Sequence, residues 1–215
     1  MDMLPGNTYH LFNHANGREN LFVEKKNYSF FLDRISKFVL PVCHVYAYCM
    51  MPNHFHLLVR IKSQEELADY FSRTSQEQDE LPDNRGVIKP AVQNFNYEQL
   101  VKKVSKSFSN LCNSYTQSFN KVYDRMGSLF MQNMKKEEVN HDNSFCKVVH
   151  YIHANPVHHQ FVRKIEDCPD SSYRIFLSKA PTKLERDYVL QVFGGIDWFI
   201  KYHEQPIDPK NNFLE

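Results

Sequence analysis

Paired cysteines are missing from this chain. Its five cysteines, Cys43, Cys49, Cys112, Cys146 and Cys168, are odd in number, scattered and without a C-x-x-C pair. That pattern argues against both a disulfide framework and a zinc ribbon, and it points to a reducing cytoplasm. Long apolar runs are missing too: none approaches the roughly 20 residues a membrane span needs. The opening "MDMLPGNTYH" lacks the basic flank and apolar core of a secretory signal. Neither membrane insertion nor secretion is expected. There is no internal repeat, no low-complexity tract and no P-loop pattern, so no nucleotide cofactor is expected. An excess of one charge is also absent, because 26 basic against 25 acidic residues leave a formal net charge of +1. A preference for an anionic partner has to be sought segment by segment.

What is present is enough for a packed core: 215 residues, 42% of them hydrophobic, suit one large domain or one domain with appendages. "TYHLF" after Pro5 and Gly6 reads as a first strand, followed by the polar turn "NHANGREN". "NYSFFLDRISKFVL" spaces Phe30, Phe31, Arg34, Ile35 and Phe38 by threes and fours, with Asn27 as N-cap and Pro41 as a stop, and predicts an amphipathic helix. "HVYAYCMM" and "HFHLLVRI" flank the turn Pro52-Asn53 and read as two antiparallel strands. A short helix from Ser63, with Glu66 in capping-box position, is expected to end near Ser72. The polar, breaker-rich stretch from Thr74 to Asn96 reads as an insertion or mobile loop. The longest helical pattern follows, from Tyr97 to about Tyr123, with Leu100, Val104, Phe108, Leu111, Tyr115, Phe119 and Val122 on one face. "GSLFMQNMKKEEV" reads as a strand, and "SFCKVVHYIHAN" as a helix capped by Asp142 or Asn143 and ended by Pro156. A further helical stretch lies around "LERDYVLQVF".

Two short motifs carry chemistry. In "MPNHFHLLV", strand periodicity sends His54 and His56 to one face and Phe55 to the other, into a core. Two parallel imidazoles are half a metal site and leave positions open for a third ligand and for substrate. For an isolated H-x-H, the commoner reading is two partly buried histidines satisfied locally. Downstream, "HYIHANPVHHQFV" puts Tyr151 and Asn155 one helical turn apart on a common face. A phenol beside a divalent cation is a candidate nucleophile, and the amide oxygen a candidate ligand; an i,i+4 Tyr/Asn pair alone is mostly ordinary helix surface.

In order along the chain, "YHLFNHANGRENLF", "AYCMMPNHFHLLV", "SFNKVYDRMGSLF", "YIHANPV" and "SSYR" (Ser171 to Arg174) resemble the REP-associated branch of the single-tyrosine HUH transposases. The resemblance runs from Tyr9 to about Tyr173. It implies an α+β, ferredoxin-like or RRM-like sandwich, with a central antiparallel sheet carrying the H-x-H pair, helices on one face and a C-terminal helical tail. A transposase domain would span residues 1–175 with the insertion at about 74–96, and a helical extension residues 176–215. His54, His56 and Asn155 would then hold one divalent metal, Mg²⁺ or Mn²⁺, and Tyr151 would attack a DNA phosphodiester, leaving a 5′-phosphotyrosine and a free 3′-OH. His153 is given no catalytic role, and His158 and His159 either touch phosphate or are solvated. Tyr46, Tyr48, Tyr115 and Tyr123 occupy apolar-periodic positions that favour packing.

The implied partner is single-stranded DNA, expected to carry a hairpin. Between Val101 and Lys136, Lys102, Lys103, Lys106, Lys121, Arg125, Lys135 and Lys136 stand against Asp124 alone, a net of +6, and these seven are the candidate phosphate contacts; a solvated helix face is the alternative. The resemblance favours a monomer over a dimer that exchanges the tyrosine helix. Two other functions stay open: a domesticated hairpin-binding protein without turnover, and a metal nuclease that uses activated water.

Overall fold

A computed structural model of the chain describes residues 2–79, 95–140 and 142–206. Four strands, β1 (Thr8–His14), β2 (Cys43–Met51), β3 (His54–Ile61) and β4 (Lys135–Glu138), form one antiparallel sheet in the order β2-β3-β1-β4. β2 and β3 are the expected hairpin: Met51 pairs with His54 across Pro52 and Asn53. β3 is buried on both faces apart from Arg60, which is why its sequence reads as a near-continuous apolar run. β1 lies on its other side and sets Phe12 opposite His56 and His14 opposite His54. β4 is shorter than "GSLFMQNMKKEEV" suggests. Upstream of it only an isolated bridge, Ala15 to Phe130, reaches the sheet, because the chain turns through positive φ at Gly127 and Asn133 and cannot stay extended.

Both faces of the sheet are covered. On one, Phe31 and Ile35 of α1 (Lys25–Phe38) and Val104, Phe108 and Tyr115 of α3 (Tyr97–Val122) pack on Leu11, Phe55 and Val59. On the other, Phe145, Val148, Val149 and Ile152 of α4 (Asp142–His158) pack on Ala47, Cys49, Met51 and Leu58. This second layer is completed by Phe176 of α5 (Tyr173–Phe176), Val189 and Phe193 of α6 (Arg186–Phe193) and Phe199 of α7 (Ile196–His203). The architecture is the expected α+β sandwich with a C-terminal helical tail. It differs in having helices on two faces instead of one, since a central strand apolar on both sides needs two covering layers.

Local signals were read mostly, not wholly, correctly. Glu24, not Asn27, is the N-cap of α1; Asn27 is the N3 residue of a reciprocal capping box. In α2 (Gln64–Asp79) the Ser63/Glu66 box is formed, with Ser63 N donating to Glu66 Oε2 at 2.8 Å and Glu66 N to Ser63 Oγ at 3.2 Å. The helix continues past Ser72, so the start of the expected insertion at Thr74 is helical, while residues 80–94 of it lie outside the described residues. Val122, expected on the packed face of α3, is exposed at its end. Pro156 does not stop α4, which runs on to His158. A proline inside a helix costs about 3 kcal/mol. Pro156 lies in the last turn and is itself buried, so only two helical residues follow it. The last turn closes around the proline, with His159 N on Asn155 O at 3.0 Å and Phe161 N on Pro156 O at 2.9 Å.

Candidate metal and nucleophile site

His54 and His56 project from β3 towards α4, and Phe55 projects the other way into the α1/α3 core. Both imidazoles are buried. Antiparallel register adds neighbours from β1 on the same face. The His14 ring stacks on His54 at 4.6 Å and 8°, and the Phe12 ring on His56 at 5.4 Å and 23°. His10, two residues before Phe12, reaches diagonally to His56, Nε2 to Nδ1 at 2.9 Å. Sequence reasoning missed His10 and His14. The signal was present in the alternation His10, Phe12, His14, but which strand β1 would pair with, and in what register, was not.

α4 lowers a stripe of three residues onto this face. Tyr151 meets His56 edge-on, centroids 5.7 Å apart at 89°, and His10 at 5.8 Å and 79°. Two turns later His159 meets His54 at 5.0 Å and 73°. Asn155, fully buried, lies on the turn between them, one helical turn from Tyr151 on the same stripe. Helix periodicity thus brings Tyr151 to His56 and His159 to His54, with Asn155 on the turn between them.

The electrostatics favour ligation. His56 is held well below the usual imidazole range, first by burial and then by the neighbouring His10, His54, His14 and His159, so it is neutral at ordinary pH. His54 Nδ1 lies 2.7 Å from Asn53 Oδ1. A carbonyl oxygen only accepts, so this nitrogen carries the proton and Nε2 the lone pair. His56 Nε2 is buried without a hydrogen-bond partner among the described residues. Among the described residues no three His, Cys, Asp or Glu side chains converge as a metal site, so a third protein ligand beside these imidazoles would be the amide of Asn155. Two imidazole nitrogens and an amide oxygen fit a divalent cation that keeps positions open for phosphate oxygens.

The competing tyrosines are occupied elsewhere. Tyr115 donates to Leu21 O at 2.6 Å, Tyr123 hydrogen-bonds Glu24 and Asn27, and burial pushes Tyr48 up to about 12. Tyr46 packs against Phe145 and Tyr188. His153 points away from the site, its Nδ1 2.8 Å from His203 Nε2 and its Nε2 2.8 Å from Ser172 Oγ, while His158 is exposed.

The seven basic residues do not form one patch. Lys135, opposite Phe12 on β4, stands on the histidine face with its ammonium 5.5 Å from the Phe12 ring. Lys136 turns to the other face and lines a groove of about 670 Å³ beside α3 with Ser105, Ser109 and Asn113. Helix periodicity puts the exposed Lys102 and Lys106 on that groove's stripe of α3, and Lys121 on a different one. Lys103 sits over the Phe71 and Phe95 rings at 4.9 and 4.5 Å. Arg125 is tied to Glu19 at 2.6 Å and to the carbonyls of Gly127 and Ser128.

No family model and no curated protein matches the chain. Among solved structures it is similar to a REP-associated tyrosine transposase bound to a REP hairpin, with a TM-score of 0.51 at 15% sequence identity, over 84% of this chain and 86% of that one. The two share a fold. At such identity the likeness concerns the path of the backbone, and the chemistry is argued from side chains. No helix among the described residues is long and apolar enough to cross a membrane.

Proposed function

We propose that this chain is a metal-dependent nickase and strand transferase for single-stranded DNA carrying a hairpin, with Tyr151 as its nucleophile. The observation that carries the reading is the Tyr151 ring set against His56 by the helix that also carries the buried Asn155. The shared fold with a transposase bound to a hairpin supports the partner.

His54, His56 and Asn155 would hold Mg²⁺ or Mn²⁺, which when bound supplies a Lewis acid for phosphate oxygens. The chain's own part is alignment. α4 fixes the Tyr151 phenol beside that position, so attack on a phosphate seated there becomes effectively intramolecular. The phenol oxygen forms the new bond to phosphorus and the bond to the 3′-oxygen breaks. The phenolic proton ends, through solvent, on the released 3′-OH, and the 5′-phosphate stays on Tyr151. One phosphoester replaces another, so rejoining the strand elsewhere needs no nucleotide cofactor. Lys135 on the histidine face offers a contact for the phosphate backbone.

The test is incubation with labelled single-stranded hairpin DNA and Mn²⁺, followed by denaturing electrophoresis and peptide mass spectrometry. A covalent adduct on Tyr151 is expected. Cleavage without an adduct, retained in Tyr151→Phe, would mean a nuclease using activated water; binding without cleavage across a panel of hairpins would mean a recognition protein.

A further inference from the structure

We propose that His10 is a positioning residue that holds His56 in the tautomer able to bind a cation; the proposal rests on the reading of His54, His56 and Asn155 as ligands. His10 is fully buried, and its Nε2 lies 2.9 Å from His56 Nδ1. The two rings are nearly parallel at 17°, with centroids 5.1 Å apart. Phe12 stacks on both, and Tyr151 closes edge-on against both. The pair has little room to rotate.

One proton lies between the two nitrogens. If His10 supplies it, His56 carries its own proton on Nε2, a buried atom with no hydrogen-bond partner among the described residues. In that form Nε2 has no lone pair to offer and cannot ligate. If His56 supplies the proton from Nδ1, the lone pair falls on Nε2, where a cation can take it. The same arrangement holds at His54, whose Nδ1 donates to Asn53 Oδ1. Both histidines would then ligate through Nε2, each oriented through Nδ1, one by a turn amide and the other by a second imidazole. Ligating histidines donate their other ring N–H to an orienting acceptor, and loss of that acceptor weakens metal binding about 10–100-fold.

The experiment uses the full chain without DNA. Imidazole ¹⁵N NMR of the metal-free protein reads the His56 tautomer, and titration with Mn²⁺, followed by electron paramagnetic resonance, reads affinity. In wild type the His56 proton is expected on Nδ1. His10→Phe keeps the ring stacking but has no acceptor; it is expected to move that proton to Nε2 and weaken Mn²⁺ binding about 10–100-fold. His10→Gln places an amide oxygen near the lost nitrogen and is expected to restore both, which a purely structural role would not do. A wild-type His56 protonated on Nε2, or a His10→Phe protein binding Mn²⁺ like wild type, overturns the proposal. A wild type that binds no Mn²⁺ overturns it together with the metal reading. Normal Mn²⁺ binding without cleavage of any hairpin overturns only the strand-transfer reading and leaves His10 in its role.

Discussion

Tyr151 meets His56 edge-on at 5.7 Å, and the same phenol ring meets His10 at 5.8 Å. The ring packs, and the proposed function gives the chemistry to the hydroxyl, so Tyr151→Phe separates the two. That variant is expected to keep its unfolding midpoint within about 1 kcal/mol of wild type, to bind hairpin DNA unchanged and to form no covalent adduct. Denaturant unfolding, a binding titration and the denaturing gel check the three in turn.

Asn155 is fully buried on the helix that carries Tyr151, and burial holds the His56 imidazole well below its usual range. Asn155→Asp places a carboxylate there, and an isolated buried charge is costly. Its thermal midpoint without metal is expected to fall by several degrees, and Mn²⁺ is expected to restore it further than in wild type, because binding to the folded state alone stabilises by mass action. A midpoint insensitive to Mn²⁺ would remove Asn155 from the ligand set.

The C-terminal helices introduce a pH dependence away from the site. His203 is lowered to about 3, first by burial among α4, α5 and α7, against the opposing effect of its hydrogen bond to Phe199 O and with some help from His150. The folded form therefore binds fewer protons than the unfolded one between about 3 and 6.5. Its contribution is complete above pH 6.5 and is lost as pH falls, at about 1.4 kcal/mol per unit. His150 and His153 shift the same way. Urea midpoints at pH 7 and pH 5 are expected to show the loss, and His203→Leu is expected to shrink the difference between them by about 2 kcal/mol.

The proposed function gives Arg125 and Lys135 opposite roles. Arg125 bonds Glu19, Asn120 and two loop carbonyls, so Arg125→Ala is expected to lose about 1–2 kcal/mol of stability with DNA affinity unchanged. Lys135→Ala is expected to leave stability unchanged and to reduce the slope of log affinity against log salt by about one. Unfolding curves and salt-dependent binding titrations on both proteins decide it.

The hairpin, the long helices and both motifs were legible because each is written over a few neighbouring residues. Strand alternation aligned His54 with His56 and sent Phe55 to the other face, helix periodicity aligned Tyr151 with Asn155, and a capping box marked α2. Where local rules failed, a tertiary contribution had won. Pro156 should have ended α4, yet the last turn closes around it through His159 N on Asn155 O and sets His159 against His54. Asn27 has the chemistry of an N-cap, yet it serves as N3 to Glu24.

The sequence by itself therefore determined the elements, the H-x-H pair and the Tyr/Asn pair, since periodicity and turn chemistry act between residues close in the chain. Only the tertiary structure decided that β1 pairs with β3 in the register that sets His14 on His54 and His10 beside His56, that α4 covers this face, and that the basic residues divide between two faces. Strand register and layer packing are settled by burial summed over distant segments, and that sum exists only once the chain has folded.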